Sequence, residues 1–334
     1  MSTYKIGIIG AGSIVENNHV PAIRSSGGTF ISWIYDKSPQ RAELVSKMYG
    51  IPALSGEWEN GWLEQVDVCL LATPYGTRPP YIDACRKARK ALVVEKPFAF
   101  STEEHSRHCE GFRPWQIAVN FQRRYYRSVA SLRKMIRQQV FGRLNAIRFV
   151  QGNFTLKGGA GYLSSARLAG GGVIAESASH ILDIVLLVTG AENVELSQLR
   201  SLRREGLDYD TNFDSEITAA DTTINISCEI STLRNLENGL YLEFDDALVS
   251  CDLSPDGSIL VRDKASRKID FVLNDASPHE TSRLQASAVN EAFAIFWEQF
   301  LDGLDRQEPN QTSATSSLIT SAWIGQIYKK INTL

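Results

Sequence analysis

The sequence predicts two domains. An α/β domain with a doubly wound parallel sheet is expected over residues 1–122, and an α+β domain with a mainly antiparallel sheet over residues 123–334. In the first 120 residues, short apolar runs alternate with helix-like stretches, which is typical of strands joined by helical crossovers. Between about residues 194 and 273, strand-like runs follow one another without helices, which favours antiparallel pairing.

Five apolar runs define the first domain. They are nearly continuous in Val, Ile and Leu, so we expect strands buried on both faces, as in a parallel sheet covered by helices. The runs span 5–10, 30–36, 66–73, 91–97 and 116–121. Between two of them a helix is predicted over 38–50, with Ser38 as N-cap, Pro39 at the first helical position and Gly50 at the stop.

The second domain begins with an amphipathic helix, predicted over 127–142, and a strand over 144–154. A glycine-rich segment, 158–172, then leads into an apolar helix. Further strands are predicted at 222–230, 239–253, 258–263 and 268–273, and closing helices at 289–304 and 316–331.

The composition is that of an ordinary globular protein, with 43% hydrophobic and 22% charged residues. A net charge of −3 gives no indication of a nucleic acid or an anionic membrane as partner. No run approaches the roughly 18 apolar residues of a membrane helix, and a strand-like run lies where a secretory signal is expected. Five scattered cysteines without a C-x-x-C pair fit reduced thiols, so we expect a cytoplasmic protein.

The end of the first strand carries a nucleotide-binding pattern. In "GIIGAGSIV", Gly10 and Gly12 form a G-x-G turn that opens a helix, where free N–H groups can meet a pyrophosphate. Val15 occupies the position of the third glycine of the full pattern, which weakens the signal. Asp36 ends the next strand, where a carboxylate can accept hydrogen bonds from a ribose.

Lys96 stands directly before Pro97 at the end of a buried strand. The residue before a proline is restricted toward extended conformations, so this lysine is held at the strand end. Open α/β sheets bind ligands at the carboxyl ends of their strands. A Lys-Pro pair is often only a turn, but this one lies on the predicted ligand edge.

The apolar helix in "GGGVIAESASHILD" carries three residues with titratable side chains at helical spacing. Glu176, His180 and Asp183 would share one face of a regular helix. Such a set can bind a metal, form hydrogen bonds among its own side chains in the protein interior, or perform acid–base chemistry. One helix supplies too few ligands for a metal, and no second His/Cys cluster completes the site, so no metal is expected.

The chain resembles the Gfo/Idh/MocA family of nicotinamide-dependent oxidoreductases. The resemblance rests on "GIIGAGSIVENNHVPAI" at the start, "ATP" at 72–74, "EKP" at 95–97 and "GGGVIAESASHILD" at 170–183, in that order. It implies an N-terminal Rossmann domain, and a C-terminal domain whose large open sheet builds homodimers or homotetramers. It also implies oxidation or reduction of one hydroxyl or carbonyl on a sugar, a sugar derivative or a cyclitol.

The resemblance assigns roles to individual residues. Cofactor-binding positions are Gly10, Gly12, Ser13, Ile14, Asp36, Thr73, Pro74 and Glu95. Catalytic positions are Lys96 and His180, with Glu176 as an assisting carboxylate, and candidate substrate contacts are Arg124, Arg167 and Asp183. The expected cofactor is NAD, with NADP not excluded.

Two departures from the family pattern indicate an unusual substrate pocket. Glu176 stands where the family usually has aspartate, and "YGTRPP" follows "ATP" where Asn and then His are common. The combined pattern favours catalysis, in which His180 accepts a proton and Lys96 stabilises the developing alkoxide. The glycines at 170–172 would let backbone and substrate approach the start of the helix that carries His180. The alternative is a non-catalytic dinucleotide-binding sensor of the same fold.

Overall fold

The computed structural model describes residues 3–154, 161–255, 257–269 and 288–333. The chain divides into two compact units. The first comprises residues 1–98, 103–122 and 289–318, and the second comprises residues 99–102, 123–288 and 319–334. The main division lies near residue 122, and residues 289–318 group with the first unit.

A six-stranded parallel sheet forms the centre of the first unit, in the order β3-β2-β1-β4-β5-β6. This is the strand order of a dinucleotide-binding fold, which confirms the predicted doubly wound sheet. Its strands are β1 (Tyr4–Ile9), β2 (Thr29–Tyr35), β3 (Ala53–Leu54), β4 (Val68–Leu71), β5 (Ala91–Val94) and β6 (Ile117–Val119). Every residue of β4, β5 and β6 is buried, as expected for a sheet covered on both faces.

Helices connect these strands. They are α1 (Val20–Ser25), which continues a π-helical turn at Val15–His19, then α2 (Pro39–Tyr49), α3 (Pro79–Lys87) and α4 (Thr102–Cys109). The prediction for α2 agrees closely, since Pro39 opens it and Gly50 follows it with φ +62°. The Ser38 hydroxyl, however, bonds Gln40 rather than a backbone N–H of the helix.

Helix α8 (Val289–Arg306) returns to the first unit and packs against α1. Its buried aromatic face meets the π-helical turn, where the rings of Phe293 and His19 lie 4.9 Å apart. The periodicity of the sequence identifies which face of this helix is buried, but not its partner, which for Trp297 is His19, 278 residues away. The predicted domain ranges, 1–122 and 123–334, do not capture this grouping of 289–318 with the first unit and stay a prediction.

Seven strands form the sheet of the second unit, in the order β13-β12-β11-β7-β10-β9-β8. All neighbours pair antiparallel except β7 and β10, which confirms the predicted mainly antiparallel sheet. The strands are β7 (Leu144–Gly152), β8 (Asn193–Arg204), β9 (Leu207–Ala219), β10 (Thr222–Ser231), β11 (Gly239–Phe244), β12 (Ala247–Cys251) and β13 (Ile259–Asp263). The predicted strand at 268–273 lies mostly outside the described residues, as do residues 158–160 of the glycine-rich segment.

The helices of this unit are α5 (Arg127–Arg137), α6 (Ala166–Ala169), α7 (Ser179–Thr189) and α9 (Leu318–Ile331). Helix α9 lies on one face of the sheet, where the Trp323 indole donates to Ser215 of β9. The opposite face is exposed and carries a depression of about 560 Å³, lined in part by Arg148, Tyr241 and Leu248. Assembly into homodimers or homotetramers through this sheet stays a prediction.

One helical stretch is long and apolar enough to cross a membrane. It runs from Ala166 to Thr189, and 78% of its most apolar part is buried within the protein. This stretch is not recognisable as one segment in the sequence, because α6, a π-helical turn and α7 become continuous only in the fold. Burial of this kind is typical of a core helix.

His105 of α4 is expected to make the stability of the first unit depend on pH. The side chain is 2% exposed, its Nε2 lies 2.9 Å from the Ala314 carbonyl, and burial lowers its pKa to about 4. Because the unfolded chain binds this proton near pH 6.5, stability is fully present above that pH and is lost down to about pH 4. We expect this residue to contribute up to about 3 kcal/mol to the change. Denaturant unfolding of His105→Gln should show a flatter dependence between these pH values, and an unchanged slope would contradict the assignment.

Candidate active site

The turn after β1 has the geometry that a bound dinucleotide requires. Gly10 has φ +106°, and a Cβ built on it would lie 2.4 Å from the Ala72 carbonyl oxygen, so only glycine fits. A Cβ on Gly12 would meet no described atom within 4 Å, which leaves open space beside the turn. At the start of the following helix, Ser13 is exposed and Ile14 is half-buried.

Asp36 lies directly after β2 and faces this turn. One carboxylate oxygen accepts the Ala11 N–H at 2.7 Å, and the other accepts the Ser38 N–H at 2.8 Å. A carboxylate has about four acceptor positions, so two remain for a ribose. Arg41 donates to the Ala11 carbonyl at 3.1 and 2.7 Å and pairs with Glu16 at 2.8 Å. Its guanidinium therefore ties the glycine turn to the helices around it.

Thr73 and Pro74 follow β4 at the same edge of the sheet. The Thr73 hydroxyl oxygen is buried and has no hydrogen-bond partner within the described part of the chain. An unsatisfied buried hydroxyl next to an open glycine turn fits a polar ligand. The residues after β1, β2 and β4 therefore suit a dinucleotide, and placement of its pyrophosphate at the glycine turn and of a ribose at Asp36 stays a prediction.

Glu95 follows β5 and is fixed from within the unit. One carboxylate oxygen lies 2.8 Å from His19 Nε2 and accepts from the Asn120 amide at 2.6 Å. The Trp297 indole N–H donates to His19 Nδ1 at 3.1 Å. An indole N–H can only donate, so Nδ1 of His19 is the acceptor. The ring proton is therefore on Nε2, which donates a hydrogen bond to Glu95.

This network keeps the Glu95 carboxylate ionised. Burial alone would raise its pKa, but the hydrogen bond from His19, the charge of Lys96 and the amide of Asn120 outweigh burial, and the pKa lies below its ordinary value. Glu95 therefore contributes a fixed negative charge directly before Lys96. The Lys96 side chain itself is half-buried, and the Lys96–Pro97 peptide bond is cis.

In the second unit, Asp183 is paired with Arg124. The guanidinium donates to both carboxylate oxygens, at 2.7 and 2.5 Å, and the side chains are 1% and 3% exposed. Thr320 of α9 donates to the same carboxylate at 3.1 Å. A bidentate pair of this kind fixes α7 to neighbouring elements. The two predicted substrate contacts, Arg124 and Asp183, are thus paired with each other, and a contact of either with a substrate stays a prediction.

The start of this helical segment is closed by interior groups. Asp208 accepts the N–H groups of Gly172 and Ile174 at 2.7 and 2.9 Å, and the Tyr328 hydroxyl donates to it at 2.9 Å. A Cβ on Gly172 would lie 1.8 Å from the Asp208 carbonyl oxygen, and one on Gly171 1.9 Å from the Tyr328 hydroxyl. The glycines were expected to admit a substrate here. They instead admit Asp208 and Tyr328.

Glu176 and His180 do not share one environment. A π-helical turn, Ile174–Ala178, precedes α7, so the regular helical spacing assumed from the sequence does not hold across this segment. Glu176 is exposed, whereas His180 is 7% exposed and Asp183 is buried. Arg167 on α6 is exposed. Among the described residues, no group of three His, Cys, Asp or Glu side chains is arranged to hold a metal.

Several residues around the candidate site were missed by sequence reasoning. His19 lies in the segment "ENNHVPAI", and a histidine about one turn along the helix after the glycine turn is a signal that could have identified it. Asp208 and Tyr328 had no such signal, because they reach the segment at 170–183 from distant elements. Arg78 lies in the "YGTRPP" stretch, which departs from the family pattern, and the sequence predicted no role for this arginine itself.

Comparisons with known proteins agree with this fold. Residues 4–116 match the family model described as "Oxidoreductase family, NAD-binding Rossmann fold", named GFO_IDH_MocA. The inositol 2-dehydrogenase 1 of Mycolicibacterium vanbaalenii is 26% identical over 247 residues, covering 70% of this chain and 67% of that protein.

Two solved structures superpose over nearly the whole chain. A 3-ketoreductase from Actinomadura kijaniata, in complex with NADP and TDP-benzene, has a TM-score of 0.79 at 16% identity, covering 98% of this chain and 97% of its own. A dehydrogenase from Bordetella pertussis, in complex with NADH and UDP-GlcNAcA, has a TM-score of 0.78 at 19% identity, covering 99% and 96%. At these identities the matches establish the fold.

Proposed function

We propose that this chain, a member of the Gfo/Idh/MocA family of NAD(P)-dependent oxidoreductases, interconverts a hydroxyl and a carbonyl on a sugar, a sugar derivative or a cyclitol. The observation that supports this best is the edge of the first unit's sheet. There a dinucleotide-type turn, a buried hydroxyl at Thr73 and the fixed Glu95–Lys96 segment follow three neighbouring strands. Ligands of open α/β sheets bind at this edge.

The relatives support a substrate class. One relative is named for inositol, and two structural neighbours hold sugar-nucleotide or nucleotide-like ligands. Inositol and the sugar of UDP-GlcNAcA both carry secondary hydroxyls on a saturated ring. We infer that the substrate of this chain has the same chemistry, whether as a free, phosphorylated or nucleotide-linked ring.

The proposed chemistry divides the work between two residues. When bound, NAD supplies the hydride acceptor in oxidation and the donor in reduction. The His180 imidazole takes the hydroxyl proton as the carbonyl forms. The Lys96 ammonium donates a hydrogen bond to the same oxygen and stabilises its developing negative charge. Glu176, being exposed, is proposed to contact substrate hydroxyls.

A substrate panel tests this proposal. The protein is incubated with NAD⁺ and, separately, with inositols, free aldoses, sugar phosphates and nucleotide sugars, and formation of reduced cofactor is followed by absorbance. Turnover on at least one ring alcohol supports the proposal. Tight dinucleotide binding without turnover in either direction on the whole panel would instead support the sensor.

Cofactor preference gives a direct prediction for Asp36. A carboxylate at the end of β2 accepts ribose hydroxyls and repels a 2′-phosphate, and Arg41 is committed to Ala11 and Glu16. We therefore expect NADH to bind more tightly than NADPH, and Asp36→Asn to weaken NADH binding about tenfold while reducing the preference. Titration by tryptophan fluorescence measures both constants. Glu43→Gln on the exposed face of α2 is the control, and wild-type binding of NADPH as tight as that of NADH would refute the prediction.

A further inference from the structure

Arg78 is a buried arginine at the ligand edge of the first unit. It precedes α3 and is only 4% exposed. Its Nε donates to the Thr73 carbonyl at 3.0 Å, and one terminal nitrogen donates to the carbonyls of Glu95 and Pro97 at 2.5 and 2.6 Å. The other terminal nitrogen lies 3.4 Å from the Lys96 carbonyl. One guanidinium thus contacts three consecutive carbonyls around Lys96.

These contacts begin where the sheet ends. The β4–β5 pairing runs as far as Leu71 and Val94, and beyond these residues the two segments of the chain leave the sheet. The carbonyls of residues 95–97 then need other donors if they are to be held in one orientation. A guanidinium presents five N–H groups in a rigid plane, which suits several carbonyls at once.

Arg78 holds a different part of this segment from the network around Glu95. His19 and Asn120 fix the Glu95 side chain, whereas Arg78 fixes the backbone on both sides of Lys96. Fixing the backbone sets the direction in which the Lys96 side chain leaves the chain. Through Thr73, the same guanidinium ties this direction to the strand whose end carries the unsatisfied hydroxyl.

We propose that Arg78 is a positioning residue that sets the orientation of Lys96 relative to the edge at Thr73. The inference rests on the proposed role of Lys96 in turnover. Arg78 acts through Lys96, so its removal lowers the rate of the chemical step and leaves dinucleotide affinity in place. Displacements of about 1 Å at a catalytic group are enough to cost on the order of 10² in rate.

The test is Arg78→Lys, which retains the positive charge but cannot reach several carbonyls from one ammonium. We expect kcat to fall on the order of 10² while KM and the NADH dissociation constant stay near wild type. Arg86→Lys is a matched control, because Arg86 on α3 likewise donates to backbone carbonyls, those of Arg107 and Glu110, away from Lys96. It should lower the melting temperature without lowering kcat.

A double-variant cycle completes the test. In the Lys96→Met background, Arg78→Lys should lower kcat no further, because the group that it positions is gone. Full turnover of Lys96→Met would instead refute the proposed role of the lysine itself. Normal kcat in Arg78→Lys, or the same fold-loss with and without Lys96, would overturn the role of Arg78. Should Arg78→Lys fail to fold, Arg78→Gln, normalised to titrated NADH sites, serves in the same cycle with the same outcomes.

Discussion

Lys96→Met is expected to lower kcat by on the order of 10²–10³ while the NADH dissociation constant stays unchanged. The range is that of a single donor removed from the oxygen that develops charge in the transition state. Methionine retains an unbranched apolar side chain of similar length, so the packing of the half-buried stem is kept and the ammonium is lost. The effect therefore isolates the charge.

The neighbourhood of Lys96 explains why cofactor affinity should be spared. The residues that suit the dinucleotide turn and the ribose lie after β1, β2 and β4, whereas Lys96 follows β5. The backbone at Lys96 is fixed independently, through the carbonyls that Arg78 binds and through the Glu95 side chain. Removing the ammonium leaves those contacts intact.

Steady-state kinetics and fluorescence titration on one preparation measure both quantities. Lys87→Met, an exposed lysine on α3, is the matched control and should behave as wild type. Near-normal turnover in Lys96→Met would remove this residue from the mechanism. A large loss of NADH affinity would place its role in cofactor binding instead.

Local sequence patterns were sufficient for the first sheet and its glycine turn. The strands at 66–73 and 91–97 were recognisable because a buried parallel strand needs a continuous apolar run, which is a local property. Gly10 was recognisable for a similar reason, since its positive φ is required by the turn that directly follows β1. The short strand β3 has no such run, and nothing in the sequence predicted it.

Long-range contacts account for what the sequence did not predict. The sequence suggests that the glycines at 171 and 172 make room for a substrate. In the structure, a side chain at these positions would clash with Tyr328 and Asp208, which come from other elements. The carboxylate of Asp183 pairs with Arg124, 59 residues away, a contact that no local pattern predicts. A pattern identifies a polar or small residue as unusual, but the identity of its partner is decided by the tertiary fold.

The helical spacing at 176–183 failed for a different reason. The sequence favours a helix throughout, and the structure has one, but with a π-helical turn at Ile174–Ala178. Such a turn changes the angle between successive residues, and it occurs frequently at functional sites. Glu176 is exposed and His180 is buried, so we expect substitution of His180 to lower kcat more than substitution of Glu176.

His180→Ala is expected to lower kcat by on the order of 10²–10⁴, the range for a positioned acid–base group. The geometry supports a positioned histidine, because α7 is fixed one turn later by Asp183 on Arg124 and Thr320, and the segment before it by Asp208. Glu176→Asp, which shortens an exposed side chain by one methylene, should have a milder effect.

Three measurements separate catalysis from its alternatives. Val188→Ala, at a fully buried position on the same helix, should lower stability while kcat is retained, which controls for loosening of α7. If His180 were only a satisfied interior residue, His180→Ala would behave like Val188→Ala. Treatment of the wild-type protein with a chelator should leave turnover unchanged, since the proposed chemistry uses an imidazole and an ammonium. Activity lost to the chelator and restored by zinc would make the segment at 170–183 part of a metal site, and the assignment of His180 as general base would then be wrong.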